Sequence, residues 1–315
     1  RGAVTDRQSR ARAMPNEVAP AASVLLISPA SPPAQPETLL VDSTSARLFT
    51  TIYPKPVAET IVLLHGGPGV PMDLSLIAER LASTYQVITF DQRGTGRSPA
   101  PTATYSIDEY LRDIDAVTRH FGIETFHLFG HSWGGVYAQI YAERNSQKLL
   151  RLFLSSPSSG TGELWKKTES EVMSFNRAHA SFWGWSMMGL KSLIGMLGSD
   201  TAYQSLFKQV LENYNRDFEP AFVATDAMVE NVRAEPINKT RQSILKYPPL
   251  NDSVDYRFPI LIMYGQKDIY GLSRQGIKIR FPQATFVEVE SAGHVPWRHN
   301  KEEFNNILVG FYRLQ

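Results

Sequence analysis

Phe126-His127-Leu128-Phe129-Gly130-His131-Ser132-Trp133-Gly134-Gly135 decides how the rest of the chain is read. It has the pattern of a short apolar strand, a pinched turn carrying one serine, and the start of a helix running toward Glu143. Glycines two residues to either side of Ser132 permit a turn that a Cβ would obstruct. Such a turn lifts the serine hydroxyl above a sheet edge, the geometry of a nucleophile elbow. Gly-x-Ser-x-Gly alone also describes a plain strand-to-helix turn, so its meaning depends on partners elsewhere.

Working outward, strand-like and helix-like runs alternate. Thr60–Leu64 is continuously apolar, the mark of a strand buried on both faces. A helix from about Met72 to Ser83 follows, then strand Gln86–Phe90 and a helix over Ile107–Phe121. Ser106 with Glu109 three residues on supplies a capping box for that helix. Beyond the serine helix, Leu149–Leu154 and Pro259–Tyr264 read as strands, Leu272–Arg280 as a helix, Thr285–Val289 as a strand and Glu302–Tyr312 as a closing helix. Thr38–Val41 and Arg47–Tyr53 suit an antiparallel hairpin at the sheet edge. The alternation predicts an α/β fold: a mostly parallel sheet with right-handed crossovers and helices on both faces.

Between Pro157 and Leu250 the rhythm breaks. There is no strand-like run, only helical segments rich in aromatics and methionine, among them Trp165, Trp183, Trp185, Tyr203, Tyr214 and Phe218. Residues 157–250 are therefore expected to form an inserted helical cap on a core made of 38–156 and 251–315. The aromatics are expected to pack the cap, with some lining the crevice beyond the carboxyl ends of the strands. Residues 1–37 are expected to be a tail outside the fold, disordered or foreign to the natural chain. Their basic start and short apolar patch Val24–Ile27 loosely resemble a processed targeting signal; otherwise the expected compartment is the cytoplasm.

The 315 residues suffice for a large core, and the formal charge of +1 gives no reason to expect nucleic acid or an anionic membrane as partner. With no cysteine, disulfides and thiolate chemistry are excluded. No apolar run approaches the ~20 residues of a membrane span.

A serine hydroxyl needs a neighbouring base, itself oriented by a third group. Of seven histidines, His127 lies in a strand, His120 on a helix and His179 in the cap. His131 should point away from its neighbour Ser132, His65 should brace a glycine loop, and His299 begins the last helix. His294, in a loop at the carboxyl end of the last strand, remains as the candidate base. Asp268, in the loop after Pro259–Tyr264, is the candidate acid, with capping of the helix at Leu272 as its other reading. The turn one strand earlier, Ser155 to Ser159, contains no carboxylate. The order Ser, Asp, His fits the α/β-hydrolase arrangement. Donors for a developing oxyanion are expected from the Trp133 backbone N–H and, in the glycine loop after Thr60–Leu64, from Gly67. That loop lacks the Lys-Ser/Thr of a phosphate cradle.

Three motifs together, His65-Gly66-Gly67-Pro68-Gly69, Asp91-Gln92-Arg93-Gly94-Thr95-Gly96-Arg97-Ser98 and Gly130-His131-Ser132-Trp133-Gly134-Gly135, resemble the proline iminopeptidase branch of the α/β-hydrolases. The resemblance covers the core, from about Thr38 to Leu154 and Pro259 to Leu314. It implies release of an N-terminal residue, often proline, from peptides or arylamides, with no cofactor and no metal. In the Asp91–Ser98 loop, Asp91 and Arg93 are expected to brace turns beside the site. Members of that branch hold the substrate's amino group with cap glutamates, one typically in a Trp-Glu pair. No Trp-Glu dipeptide occurs here. Glu212, Glu219, Glu230 and Glu235 are candidates by location only, and for each a solvated helix face is the better reading. The expected function is a serine hydrolase acting through an acyl-enzyme on a short peptide or small molecule. An esterase or lactonase is the alternative, and a non-catalytic receptor on the same fold a third reading.

Overall fold

The computed structural model describes residues 35–101, 104–220 and 222–313. Apart from its last three residues, the expected tail lies outside them. The chain begins with strands β1 (Glu37–Asp42), β2 (Arg47–Tyr53) and β3 (Thr60–Leu64), then α1 (Ser75–Ala82), β4 (Gln86–Phe90) and α2 (Ile107–His120). There follow β5 (Phe126–His131), α3 (Trp133–Arg144) and β6 (Leu149–Ser155). Four helices come next, α4 (Glu163–Ala178), α5 (Phe182–Met196), α6 (Asp200–Asn215) and α7 (Ala234–Lys246). The sheet resumes with β7 (Ile260–Gly265), α8 (Leu272–Arg280), β8 (Thr285–Val289), α9 (Pro296–His299) and α10 (Lys301–Arg313). Helix α1 starts three residues later than expected, because Asp73 turns back to accept the Ser75 N–H at 2.8 Å.

One eight-stranded sheet runs in the order β1-β2-β4-β3-β5-β6-β7-β8. The β1–β2 and β2–β4 pairs are antiparallel and all others parallel. Alternate side chains of the central strands feed two cores. Val62, Leu128, Leu152 and Ile262 face α2, α3 and α8, where Tyr110, Ile114, Val136, Tyr137 and Ile277 are buried. Ile61, Leu63, Phe129, Phe153 and Met263 face α1 and α10, against Ile77, Leu81, Phe304 and Leu308. Burial on both faces explains the apolar runs of these strands, such as residues 61–64 and 152–154.

The strand register fixes where the chemistry can lie. Leu64 pairs with Gly130, His131 with Ser155, Ser155 with Met263, and Gly265 with Val289. The strands therefore end together, and the loops that follow them share one rim.

The inserted helices dock on that rim. Val70, from the loop after β3, enters a cap cluster with Tyr203, Val229, Val232 and Ala234. The Gly69 carbonyl accepts from Arg233 N at 3.1 Å, and Tyr110 and Thr240 share a hydroxyl hydrogen bond of 2.8 Å. The cap aromatics divide unexpectedly. Trp165 and Tyr203 are buried, whereas Phe182 and Trp183 on α5 are 77% and 79% exposed. Alternation and composition mark such residues as apolar without saying which face of a helix hairpin receives a neighbour.

Candidate active site

Ser132 occupies the sharp turn between β5 and α3 with φ 54° and ψ −116°, a conformation L-residues rarely adopt. The two glycines are required by crowding: a Cβ on Gly130 would strike the Gly134 carbonyl, and one on Gly134 would strike Leu64 O and His65 O. The turn is held by Ser132 N donating to Ser155 O at 3.1 Å, and by Ser158 N donating to Ser132 O at 3.2 Å. Ser132 is left half-buried at the end of the strand.

His294, in the loop after β8, places Nε2 3.1 Å from Ser132 Oγ and Nδ1 3.1 Å from Asp268 Oδ1. Asp268, in the loop after β7, also accepts from Tyr270 N at 3.2 Å and from Ser156 Oγ at 2.5 Å. Burial alone would push this carboxyl up. The facing His294 charge, its hydrogen bond and the Ser156 and Tyr270 donors outweigh burial and hold it below the ordinary value. An ionised Asp268 accepts the Nδ1–H and leaves Nε2 with a lone pair toward the serine. Residues 132, 268 and 294, distant in sequence, are thus linked by two hydrogen bonds.

Three other histidines near the site have structural partners. His65 donates Nδ1–H to Gly66 O at 2.8 Å and accepts from Gln92 N at 3.1 Å, bracing its loop. His131 makes no hydrogen bond to Ser132, but its ring turns under the site, 4.9 Å from that of His294 and 4.6 Å from that of Trp297. It is fixed by a 3.0 Å bond to Ser155 O, and burial pushes its pKa well below the usual value. His299 accepts from Gly293 N at 3.0 Å and donates to Asn215 Oδ1 at 2.8 Å, while Phe218 stacks on its ring at 3.7 Å. The cap is thereby tied to the His294 loop.

Trp133 N–H opens α3, at the positive end of the helix dipole. Gly67, at φ 58°, turns the loop after β3, and a Cβ there would overlap Val70. Neither the Trp133 nor the Gly67 N–H has an acceptor among the described residues. Gly66 packs against Ser132, its absent Cβ lying 3.1 Å from Ser132 Cβ. The loop is further secured by Gln92, which donates to His65 O at 2.8 Å and accepts from Trp133 Nε1 at 2.8 Å.

The four cap glutamates are not brought to the serine by any hydrogen bond. Glu219 and Glu230 are exposed, Glu235 is exposed and pairs with Lys239 at 2.5 Å, and Glu212 lies half-buried near Lys208. Two other cap carboxylates are taken up by the protein itself. Glu169 binds Arg241 through both oxygens at 2.6 and 2.8 Å and accepts from Trp165 Nε1. Glu171 caps α8, accepting from the Gly271, Leu272 and Ser273 N–H groups.

Sequence reasoning misses two residues beside the serine: Tyr270, whose OH is 3.4 Å from Ser132 Oγ, and Ser158, 2.9 Å from that OH; Tyr214, one of the cap aromatics expected to pack the cap or line the crevice, sets its ring edge-on to His294 at 5.3 Å. The only signal available for Tyr270 was its place two residues after Asp268. Among the described residues no group of three or more His, Asp or Glu is placed to hold a metal ion, and no helix is long and apolar enough to cross a membrane.

Residues 59–187 match the family model for the alpha/beta hydrolase fold. A proline iminopeptidase of Clostridioides difficile (strain 630) is 31% identical over 267 residues, 79% of this chain and 88% of the relative. One from Lactobacillus helveticus (strain DPC 4571) is 34% identical over 113 residues, 38% of its length. Among solved structures, the proline iminopeptidase of Mycobacterium smegmatis superposes with a TM-score of 0.62 at 20% identity, covering 88% of this chain and 97% of that one. Carboxylesterase CesB from Bacillus subtilis gives 0.62 at 17% identity, over 90% and 93%. The structural likenesses speak for the fold; the sequence match along most of the clostridial enzyme places this chain among the hydrolases of the α/β superfamily, in the proline iminopeptidase-like branch.

Proposed function

We propose that the protein is a serine hydrolase that works through an acyl-enzyme and releases the N-terminal residue of a short peptide or aminoacyl amide. The observation that carries the reaction type is the chain Asp268–His294–Ser132, with Nε2 3.1 Å from Oγ. His294 takes the hydroxyl proton as Oγ attacks the substrate carbonyl, and Asp268 stabilises the imidazolium that forms. The oxyanion is received by the Trp133 and Gly67 N–H groups, which have no acceptor among the described residues. Collapse breaks the bond to the leaving group, which takes the proton from Nε2. Water, deprotonated by the same histidine, then resolves the ester on Ser132.

The peptide substrate rests on the relatives. A second reading, hydrolysis of a small carboxylic ester or lactone, is favoured by one observation: Glu169 and Glu171 are engaged by Arg241 and by the α8 amides, so neither is free for a substrate ammonium. Turnover of an aminoacyl arylamide, its N-acetylated form and a short acyl ester separates the two. An aminopeptidase loses the arylamide activity on acetylation; an esterase takes the ester fastest and is indifferent to acetylation.

A further inference from the structure

The hydroxyl of Tyr270 is the one phenol within reach of Ser132 Oγ among the described residues, and the reaction above gives it no role. Tyr270 is buried, 3% exposed, and fixed from three sides. Its N–H donates to Asp268, its ring stands edge-on to the His294 ring at 5.0 Å, and its OH lies 2.9 Å from Ser158 Oγ. Ser158 is itself anchored to the nucleophile turn by its N–H.

One order of the protons satisfies both contacts of the phenol. The Ser132 O–H points to Nε2 of His294, whose Nδ1–H is committed to Asp268, so Ser132 Oγ faces Tyr270 with a lone pair. The Ser158 hydroxyl, with no other side-chain partner among the described residues, donates to the Tyr270 oxygen. The phenolic hydrogen is then free to point at Ser132. Burial pushes the Tyr270 pKa up to about 12, so it stays a donor throughout the neutral range.

The flank matters as much as the distance. The strand order is β3-β5-β6-β7-β8, with Ser132 at the end of β5. The Gly67 donor comes from the β3 side, whereas Tyr270 and His294 come from the β7 and β8 side. In the tetrahedral intermediate, Oγ and the leaving atom are bonded to one carbon, so a leaving atom that faces His294 to take its proton is turned to the same flank as the Tyr270 hydroxyl, 3.4 Å from Oγ. Contacts of this length tighten when substrate is present.

We propose that Tyr270, oriented by Ser158, is a further catalytic residue that hydrogen-bonds the leaving group beside His294 and so lets the enzyme expel poor leaving groups. No proton is transferred from the phenol. The bond from carbon to the leaving atom breaks, His294 Nε2–H supplies the proton, and Tyr270 stabilises the charge that develops on that atom before the proton arrives. The proposal rests on Ser132 being the nucleophile.

The test compares wild type, Tyr270→Phe and Ser158→Ala on two esters of the same acyl group, one releasing p-nitrophenolate and one an unactivated alkoxide. Labelling by a fluorophosphonate, whose fluoride needs no assistance, is measured in parallel. Tyr270→Phe is expected to lose about 10- to 100-fold in kcat on the alkyl ester, the worth of one hydrogen bond to a charge-bearing atom. It should lose under about threefold on the p-nitrophenyl ester and in labelling rate. Ser158→Ala should show the same selectivity with a smaller loss. Equal losses on both esters in either variant, or no loss on the alkyl ester in Tyr270→Phe, would overturn the role. A wild type that the fluorophosphonate leaves unmodified would instead overturn the nucleophile assignment on which it rests.

Discussion

Two buried polar clusters lie on neighbouring elements of this protein, and they differ in what they leave unused. Around Arg93, which follows β4, the guanidinium is fully enclosed and every nitrogen has a partner. Nε donates to Asp113 Oδ2 at 2.8 Å, Nη1 to Thr104 O and Ser45 Oγ, and Nη2 to Glu109 O and Asp113 Oδ1. Asp113 accepts in addition from Ser43 Oγ at 2.6 Å. Burial disfavours the charge, but the two carboxylates more than offset it and raise the Arg93 pKa. Around Ser132 capacity is left over. Ser132 is half-buried, and among the described residues the Trp133 and Gly67 N–H groups lack acceptors and the buried His131 Nε2 has no partner, while Ser132, Ser156 and Ser291 all have positive φ. A saturated cluster holds elements together; strain and unspent donors mark the place where something else is to be bound.

That contrast is broken most directly by exchanging the expected phenotypes. Ser132→Ala should lower kcat by on the order of 10⁶-fold, and Asp268→Asn by about 10⁴-fold, with the melting temperature little changed. Calorimetry alongside kinetics checks both. Arg93→Met should do the reverse, because it strands Asp113 as a buried, unpaired charge. A stability loss of about 3–5 kcal/mol in urea unfolding is expected, while the fraction that stays folded keeps its kcat. An Arg93→Met enzyme of normal stability and lost activity would erase the distinction.

A smaller effect sharpens it. Burial, and then the charge of His294, lower the His299 pKa from 6.5 to about 4. Between those values the unfolded chain binds a proton that the folded chain refuses, so stability rises with pH there. It should be complete above pH 6.5 and be lost progressively as the pH falls toward 4. His299→Gln should flatten this slope in urea titrations at fixed ionic strength. An unchanged slope would mean that His299 is not held neutral between Gly293 and Asn215.

The sheet is legible because the central strands β3, β5, β6 and β7 are buried on both faces, which leaves apolar runs, interrupted only at positions such as His127 and Arg151, flanked by loop residues. Its boundaries shifted by a residue or two, as at Ser155 and Gly265, where the strands continue into polar or glycine positions. Ser132, Asp268 and His294 stood out because each lies in a loop just past a strand, where a reactive side chain has no packing reason to be. Tyr270 did not, since an aromatic beside a buried loop reads as core. Ser156 did not either, because a serine-rich turn gives no hint that one hydroxyl reaches Asp268, 112 residues on. Arg93 was expected to brace turns beside the site; in fact it joins α2 to the β1–β2 hairpin, through Asp113, Glu109 and Ser45. In each of these cases the partner is far along the chain, and local periodicity carries no information about it.

Everything depends on Ser132 being a nucleophile, and labelling the folded protein with a fluorophosphonate, followed by peptide mapping, tests that most directly. One equivalent on Ser132, with the rate collapsing in His294→Ala, is the predicted result. A folded protein that takes up no label, or takes it up at another residue, would contradict the account.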